Sequence, residues 1–477
     1  MPKFNLLDNL HTYTLPNGLK LWVKPRPDTP AVAAGILFPV GARHDPPKLL
    51  GISHFVEHTL FSTNRRWNET ALYRQIEARG GVLNGETGPE HTFYYLRISG
   101  DYLASALDVL VDLVFHPTFK DDSVQRERKV ILNEMGLRHL PFNNRVVRWA
   151  RQVGLLGYTP PYSYATHWQG KSTLTNPAIG WSKTVKRTQP ADLADWHRQH
   201  YLPNNATLIV VGNCQPDTVL RMTTALTEHL PAGPLPPPPP PLKAAPQPKR
   251  RWQVGLGSSQ YELFLTAALL GELHPDMPAI TILGIVLQKR LNETVRLSQG
   301  LTYNIIANET TWRDVGVFEI GATVDHRRHL IPLWRAIQRE LKVLRQGNLT
   351  EREVATAKRR FADAITSRLD SNRDQFWQLV QMAIDHGQPV DWIAQHQAVT
   401  RADVLRVLNA YLRPEHFTVH LALFPMLRLG FGLLVISLAG LLTLLPQTIL
   451  QMVSGTEDVL IYKPLIDLLL HGWGAGG

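Results

Sequence analysis

Between residues 12 and 24 the chain reads as two short strands joined by Pro16-Asn17-Gly18, because Asn-Gly supplies the positive φ angles of a tight hairpin. An apolar run from Ala31 to Val40 predicts a further strand. Helix-like segments follow near 50–62, 69–79, 101–115 and 121–138, with strand-like runs at Gly81–Thr87 and Thr92–Ser99 between them. The pattern then restarts: a strand at Tyr261–Leu270, a long helix over Pro278–Leu297, strands at Leu301–Asn308 and Val315–Val324, and helices in 328–346 and 351–386. This order predicts an α+β fold built from two similar halves, each an antiparallel-rich sheet with helices on one face.

The halves meet at a sharp change of composition. Residues 231–250 contain six consecutive prolines, Pro236–Pro241, which favour an extended polyproline spacer over packed structure. The predicted divisions are therefore 1–230, a linker over 231–250, a second domain over 251–424, and a tail over 425–477. An SH3-type ligand is the other reading of the proline run, and nothing else in the chain supports it.

The tail differs again. Leu429–Leu445 is uncharged and rich in Leu, Gly and Ile. At 17 residues it stands at the short end of the roughly 17–25 needed to cross a bilayer, so a buried core helix is the competing reading. Its place at the chain end and its lack of a polar stripe favour a single membrane span that anchors the protein. Arg401, Arg406, Arg413 and Arg428 precede the run and only Lys463 follows it, which predicts a cytoplasmic location for the large N-terminal part.

The chain has 477 residues, enough for several domains with a large buried core. With 44% hydrophobic and 19% charged residues, its bulk is neither disordered nor polytopic membrane protein. The formal charge of +10 is spread along the sequence, and no helix-turn-helix, RNA-binding or zinc-finger pattern accompanies it, so no nucleic-acid partner is predicted. The single cysteine, Cys214, excludes an intramolecular disulfide and a thiolate metal cage. The N-terminus lacks the charged-then-apolar pattern of a cleaved signal.

Candidate chemistry centres on His54-Phe55-Val56-Glu57-His58. On a helix, residues four apart share a face, so His54 and His58 converge on one ion while Glu57 lies on the same side. Zinc hydrolases use three protein ligands and leave one position open to water, so a third ligand is required. The helical segment 121–138 carries Glu127 and Glu134 two turns apart on one face, and either has the reach to supply it. The remaining histidines, among them His91, His167 and His200, read as surface or hydrogen-bonded core residues.

These residues resemble the pitrilysin or insulin-degrading-enzyme family, which includes the mitochondrial processing peptidases. Its signature is His-x-x-Glu-His with a glutamate ligand about 76 residues later, and Glu134 stands 76 positions after His58. Thr14–Leu19 resembles the family's opening hairpin, Gly51-Ile52-Ser53 the run into the motif, and Tyr201 through Gly212 the closing strand of the first domain, so the likeness spans roughly residues 11–424.

The resemblance implies one Zn2+ held by His54, His58 and Glu134, with Glu127 supporting the site and Glu57 as the general base that activates a zinc-bound water. It implies that Arg296 and Tyr303 form the family's substrate-binding pair, and that Asn84-Gly85-Glu86-Thr87 is the edge strand on which peptide substrates pair, with Asn84 a substrate contact. Gly85 departs from the alanine usual there. The chain would form one half of a clamshell chamber that cleaves internal bonds of unfolded or extended peptides, as a homodimer or as a heterodimer with a related subunit. The alternative function is a catalytically silent scaffold or membrane-complex subunit on the same fold.

Overall fold

The computed structural model describes residues 5–62, 66, 69–138, 174, 177–242, 251–257 and 260–425. The first sheet has six strands: β1 (His11–Thr14), β2 (Lys20–Pro25), β3 (Ala31–Phe38), β4 (Val82–Thr87), β5 (Thr92–Ser99) and β6 (Thr207–Gly212), in the spatial order β1-β2-β6-β3-β5-β4. Most neighbours are antiparallel, but β6 enters between β2 and β3 and runs parallel to β2. Among the described residues β4 pairs with β5 alone, Asn84 opposite Tyr95 and Gly85 opposite Tyr94, and no described strand lies on its other edge.

The first three helices of this half are α1 (Ile52–Ser62), α2 (Glu69–Glu77) and α3 (Leu103–Phe115), and α4 (Asp121–Arg138) packs along α1. β3 is apolar along its whole length because both of its faces are covered. Val32, Ala34, Ile36 and Phe38 join the core beneath α1 and α3. The alternate residues Ala33 and Leu37 face the opposite way and meet Phe376, Leu379 and Val380. Those last residues belong to the helix Asn372–His386, which comes from the second half and closes the far side of the first sheet.

The second sheet comprises β7 (Arg251–Gly257), β8 (Tyr261–Leu270), β9 (Ile305–Thr311), β10 (Val315–Val324) and β11 (Thr418–Pro425), in the order β7-β11-β8-β10-β9. It has its own core, in which Met277, Ile280 and Leu283 of the helix Met277–Leu291 join side chains of β8 and β10, and that helix lies along β9.

Several elements differ from expectation. The helix expected over Pro278–Leu297 is α-helical only to Leu291 and continues as a π-turn over Asn292–Leu297. The strand expected from Leu301 begins at Ile305. The stretch 351–386 divides into the helices Glu351–Thr366 and Asn372–His386, where Ser371 accepts a hydrogen bond from Asp374 N and so starts a new helix.

The expected membrane span, Leu429–Leu445, lies outside the described residues. Among the described residues no helix is long and apolar enough to cross a membrane. The expectation of a single-pass, membrane-anchored protein with a cytoplasmic peptidase part is therefore corrected. It rested on a short apolar run, and apolarity alone does not separate a span from a helix buried in protein.

Candidate metal centre

The start of α1 is fixed before its chemistry begins. Asp45 accepts hydrogen bonds from Gly51 N (2.6 Å), Ser53 N (3.2 Å) and Ser53 Oγ (2.6 Å), so its carboxyl caps the orphan donors of the first turn. Burial pushes that carboxyl up to about 7, against the opposing effect of the Ser53 and Gly51 hydrogen bonds. Gly51 has φ +94°, and a Cβ there would lie 2.7 Å from Gly180 Cα, so only glycine fits the entry to the helix.

One turn on, the His54 and His58 rings lie with centroids 4.6 Å apart at 62°. Glu134 comes to them from α4: its Oε2 lies 3.9 Å from His54 Nε2 and 3.6 Å from His58 Nε2. One ligand atom from each of the three residues falls within 4.8 Å of the others. Zinc bonds of about 2.0–2.1 Å in a tetrahedron set ligand atoms about 3.3 Å apart, so this nitrogen, nitrogen and carboxylate set fits the ion with a small contraction.

Glu127 occupies a different place. Its Oε2 lies 3.4 Å from His58 Nδ1, on the far side of the ring from Glu134, and the residue is only 7% exposed. A carboxylate there holds the Nδ1 proton and leaves Nε2 as the free donor toward a metal. Burial lowers the pKa of His58, but its contact with Glu127 and the nearby Glu57 and Glu134 carboxylates reverse that, and the net direction is upward. α4 is held in place by Arg128, which donates to the carbonyls of Val185 and Thr188 and lies over the Phe55 ring of α1.

Glu57, 8% exposed, points toward β4. Thr87 Oγ1 donates to its Oε2 at 2.6 Å. Burial raises its pKa, opposed by the Thr87 hydrogen bond and by His58. Gly85 lies beside it: a Cβ there would come 2.9 Å from the Phe61 ring and 3.2 Å from Glu57 Cγ. The edge strand therefore closes directly over the carboxylate.

Of the residues picked from the sequence, His54, His58, Glu134, Glu127 and Glu57 come together. Asn84 sits on β4 but bonds to Tyr95 Oη (3.3 Å) and to Gly85 N (2.9 Å). Arg296 stands over the Tyr303 ring at 5.3 Å, and Tyr303 is 87% exposed. Among the described residues neither makes a hydrogen bond or ion pair with the α1 and α4 side chains. Sequence reasoning placed Thr87 only within the substrate-pairing segment and gave Asp45 no role; the Thr87 contact with Glu57 joins distant elements, whereas Asp45 caps its helix across a loop of five residues that carries no capping signature.

Two family models match the chain: Insulinase (Peptidase family M16) over residues 22–139, and the Peptidase M16 inactive domain over residues 188–361. Together they span more than half of it. The chain belongs to the M16 peptidase family.

An uncharacterized zinc protease of Bacillus subtilis is 25% identical, over 76% of this chain and 85% of its own length. A probable mitochondrial-processing peptidase subunit beta of Arabidopsis thaliana is 24% identical, over 85% of this chain and 77% of its own. A protease from Helicobacter pylori has the same fold, with a TM-score of 0.72 at 21% identity over 86% of this chain and 98% of that one. The periplasmic protease PqqL from Escherichia coli also aligns, with a TM-score of 0.72 at 18% identity, and there the match covers 90% of this chain but only 48% of that one.

Proposed function

We propose that this M16 chain is a zinc-dependent endopeptidase that cleaves internal bonds of extended peptides. The observation that carries the reading is the convergence of His54, His58 and Glu134 beside a buried Glu57 and beneath β4 at the sheet edge. His54, His58 and Glu134 hold one ion per chain. When bound, zinc supplies Lewis-acid charge and an acidified water.

The chain's own residues do the rest. Among the described residues no strand covers the outer edge of β4, so a peptide adds there as a further strand with little demand on sequence. That places its backbone close to Glu57, with Asn84 as a contact on the strand. Glu57 takes up the water proton and passes it to the leaving nitrogen, and its burial, which disfavours the charged form, sharpens it for that exchange. Glu127 keeps His58 in the tautomer that binds metal.

Residues 1–230 form the metal-binding domain, residues 251–424 a related domain, and 231–250 the linker. Arg296 and Tyr303 form a substrate-binding pair that serves the site of a partner subunit, identical or related. That the chain matches about half of the Escherichia coli protease supports a chamber of two such halves.

The test is metal content by mass spectrometry beside cleavage of a quenched fluorescent peptide, in wild type and Glu57→Gln. Near-stoichiometric zinc is expected in both, with turnover lower by about 10²–10⁴-fold in the variant. A wild type without zinc would overturn the reading. Zinc without cleavage, alone and with any co-purifying partner, would leave a silent scaffold.

A further inference from the structure

The Thr87 hydroxyl on Glu57 is held from outside its own sheet. Thr87 ends β4, and the turn that follows, 88–91, is gripped on two sides. On one side lies the segment 41–45: Ala42 N donates to Gly88 O (3.1 Å) and Arg43 N to Pro89 O (2.7 Å). The approach is so close that a Cβ on Gly41 would lie 2.3 Å from Gly88 O. The same segment ends at Asp45, the cap of α1.

On the other side lies the turn between β9 and β10 of the second half. The Arg43 guanidinium, in a residue only 4% exposed, donates to Glu90 and to both carboxylate oxygens of Asp314, at 2.8 Å and 2.5 Å. Glu90 Oε2 accepts from Arg313 N (3.0 Å), and Asp314 Oδ2 also accepts from Leu242 N at the end of the proline-rich segment. A forked, charge-assisted arginine contact fixes direction as well as distance. One buried side chain thus joins the helix cap, the strand turn and the second half.

We infer that Arg43, with Glu90 and Asp314, is a positioning strut through which the second half of the chain sets the Thr87 hydroxyl on the Glu57 carboxylate. This rests on the peptidase reading with Glu57 as base. The strut touches no metal ligand and no reacting group; it holds the strand on which substrate pairs, so kcat and KM both depend on it, while zinc content does not.

The experiment uses Asp314→Asn and Arg43→Gln in the full chain, each alone and combined with Thr87→Val, with unfolding midpoint and zinc content measured for every variant. Asp314→Asn keeps the side-chain shape, so it remains informative where Arg43→Gln fails to fold. In the wild-type background, kcat is expected to fall about tenfold to a hundredfold, the scale of an ångström-sized misplacement, with KM rising as β4 loosens. In the Thr87→Val background the same change is expected to move kcat by less than about twofold, because the group it positions is gone.

Hydrogen exchange over residues 82–92 of Asp314→Asn supplies a readout independent of turnover, and faster exchange is expected there. Unchanged kcat, an undiminished effect in the Thr87→Val background, or unchanged exchange would each overturn the strut. A wild type that does not cleave would sink the peptidase reading instead, and exchange alone would then decide whether the strut holds β4.

Discussion

The two halves share a topology and differ in what they place between a helix and an edge strand. β2, β6, β3, β5 and β4 of the first sheet follow the same order as β7, β11, β8, β10 and β9 of the second, with a parallel pair at the same place in each. In the first half a strand residue, Thr87, donates to a helix carboxylate, Glu57. In the second the direction is reversed, and Thr281 of the helix Met277–Leu291 donates to Glu309 of β9 at 2.6 Å. The helix packed along each of these repeats the contrast. α4 brings Glu127 to His58 of α1, whereas Glu351–Thr366 brings Glu353 to Arg290 at 2.7 Å, a plain ion pair. The helix Met277–Leu291 contains no His, Asp or Glu, so nothing in it can gather a metal. The lesson is that the scaffold supplies a helix, an edge and a bracing helix twice over, and a handful of side chains decides which copy has chemistry.

Removing the bracing carboxylate in each half breaks this comparison most strongly. Glu127→Gln is expected to lower metal affinity or turnover by about 10–100-fold, since it releases the His58 ring that the carboxylate orients. Glu353→Gln is expected to leave both unchanged and to cost about 1 kcal/mol of stability, the scale of a partly exposed ion pair whose carboxylate also accepts from Thr350 N and Oγ1 at the start of its own helix. Zinc titration and peptide cleavage on both variants check this. Equal losses from the two would mean that the halves are coupled more tightly than their separate cores indicate.

Helical spacing alone brought His54, Glu57 and His58 to one face, because that relation is local. It placed Glu127 and Glu134 on one face as well, but it did not say which nitrogen each would meet. Their separation, Glu134 toward the two Nε2 atoms and Glu127 at Nδ1, depends on how α4 lies along α1. Alternation and apolar runs marked β3, β5, β8 and β10. Nothing local announced the insertion of β6 between β2 and β3, or the passage of Asn372–His386 to the far face of the first sheet. The contact of Thr87 with Glu57 joins residues thirty positions apart and is of the same kind. The apolar run at Leu429–Leu445 misled for the opposite reason, since a short local pattern was given a meaning that only its surroundings decide.

A smaller effect follows from the two glycines that let helix and edge strand approach. In the first half the glycine is on the strand: Gly85→Ala presses a methyl group on the Phe61 ring and on Glu57 Cγ. Because a ring edge yields more easily than backbone, a few-fold fall in kcat with little change in KM is expected. In the second half the glycine is on the helix, where a Cβ at Gly284 would meet Glu309 Oε2 at 3.2 Å and Ala307 O at 3.3 Å. Gly284→Ala is expected to leave turnover untouched, and its steric cost is offset by up to about 1 kcal/mol of helix propensity. A turnover loss in Gly284→Ala as large as in Gly85→Ala would erase the distinction.

Acid also separates the halves, through buried groups outside the metal ligands. His44, His197 and His200 in the first half are each held at about 4 by burial. Among the described residues the second half has His396 at about 4, and His386 is lowered by burial as well. A histidine lowered from about 6.5 contributes its full stability above that value. As pH falls from 6.5 to 4 the unfolded chain takes up the proton first, and the contribution is lost at about 1.4 kcal/mol per unit at most. Buried carboxylates act in the opposite sense. Glu319 and Asp385 of the second half, raised to about 7 by burial, destabilise the fold above that value and are relieved as pH falls toward 4, whereas the first half has Asp45 in the same position. Hydrogen exchange followed from pH 7 to pH 4.5 is therefore expected to show β3 and β5 losing protection before β8 and β10. His197→Gln, which keeps a donor for the Val114 carbonyl but does not titrate, is expected to make the loss in the first half shallower. Simultaneous loss in both sheets would show that Asn372–His386, packed on the first sheet from the second half, makes the two unfold as one unit.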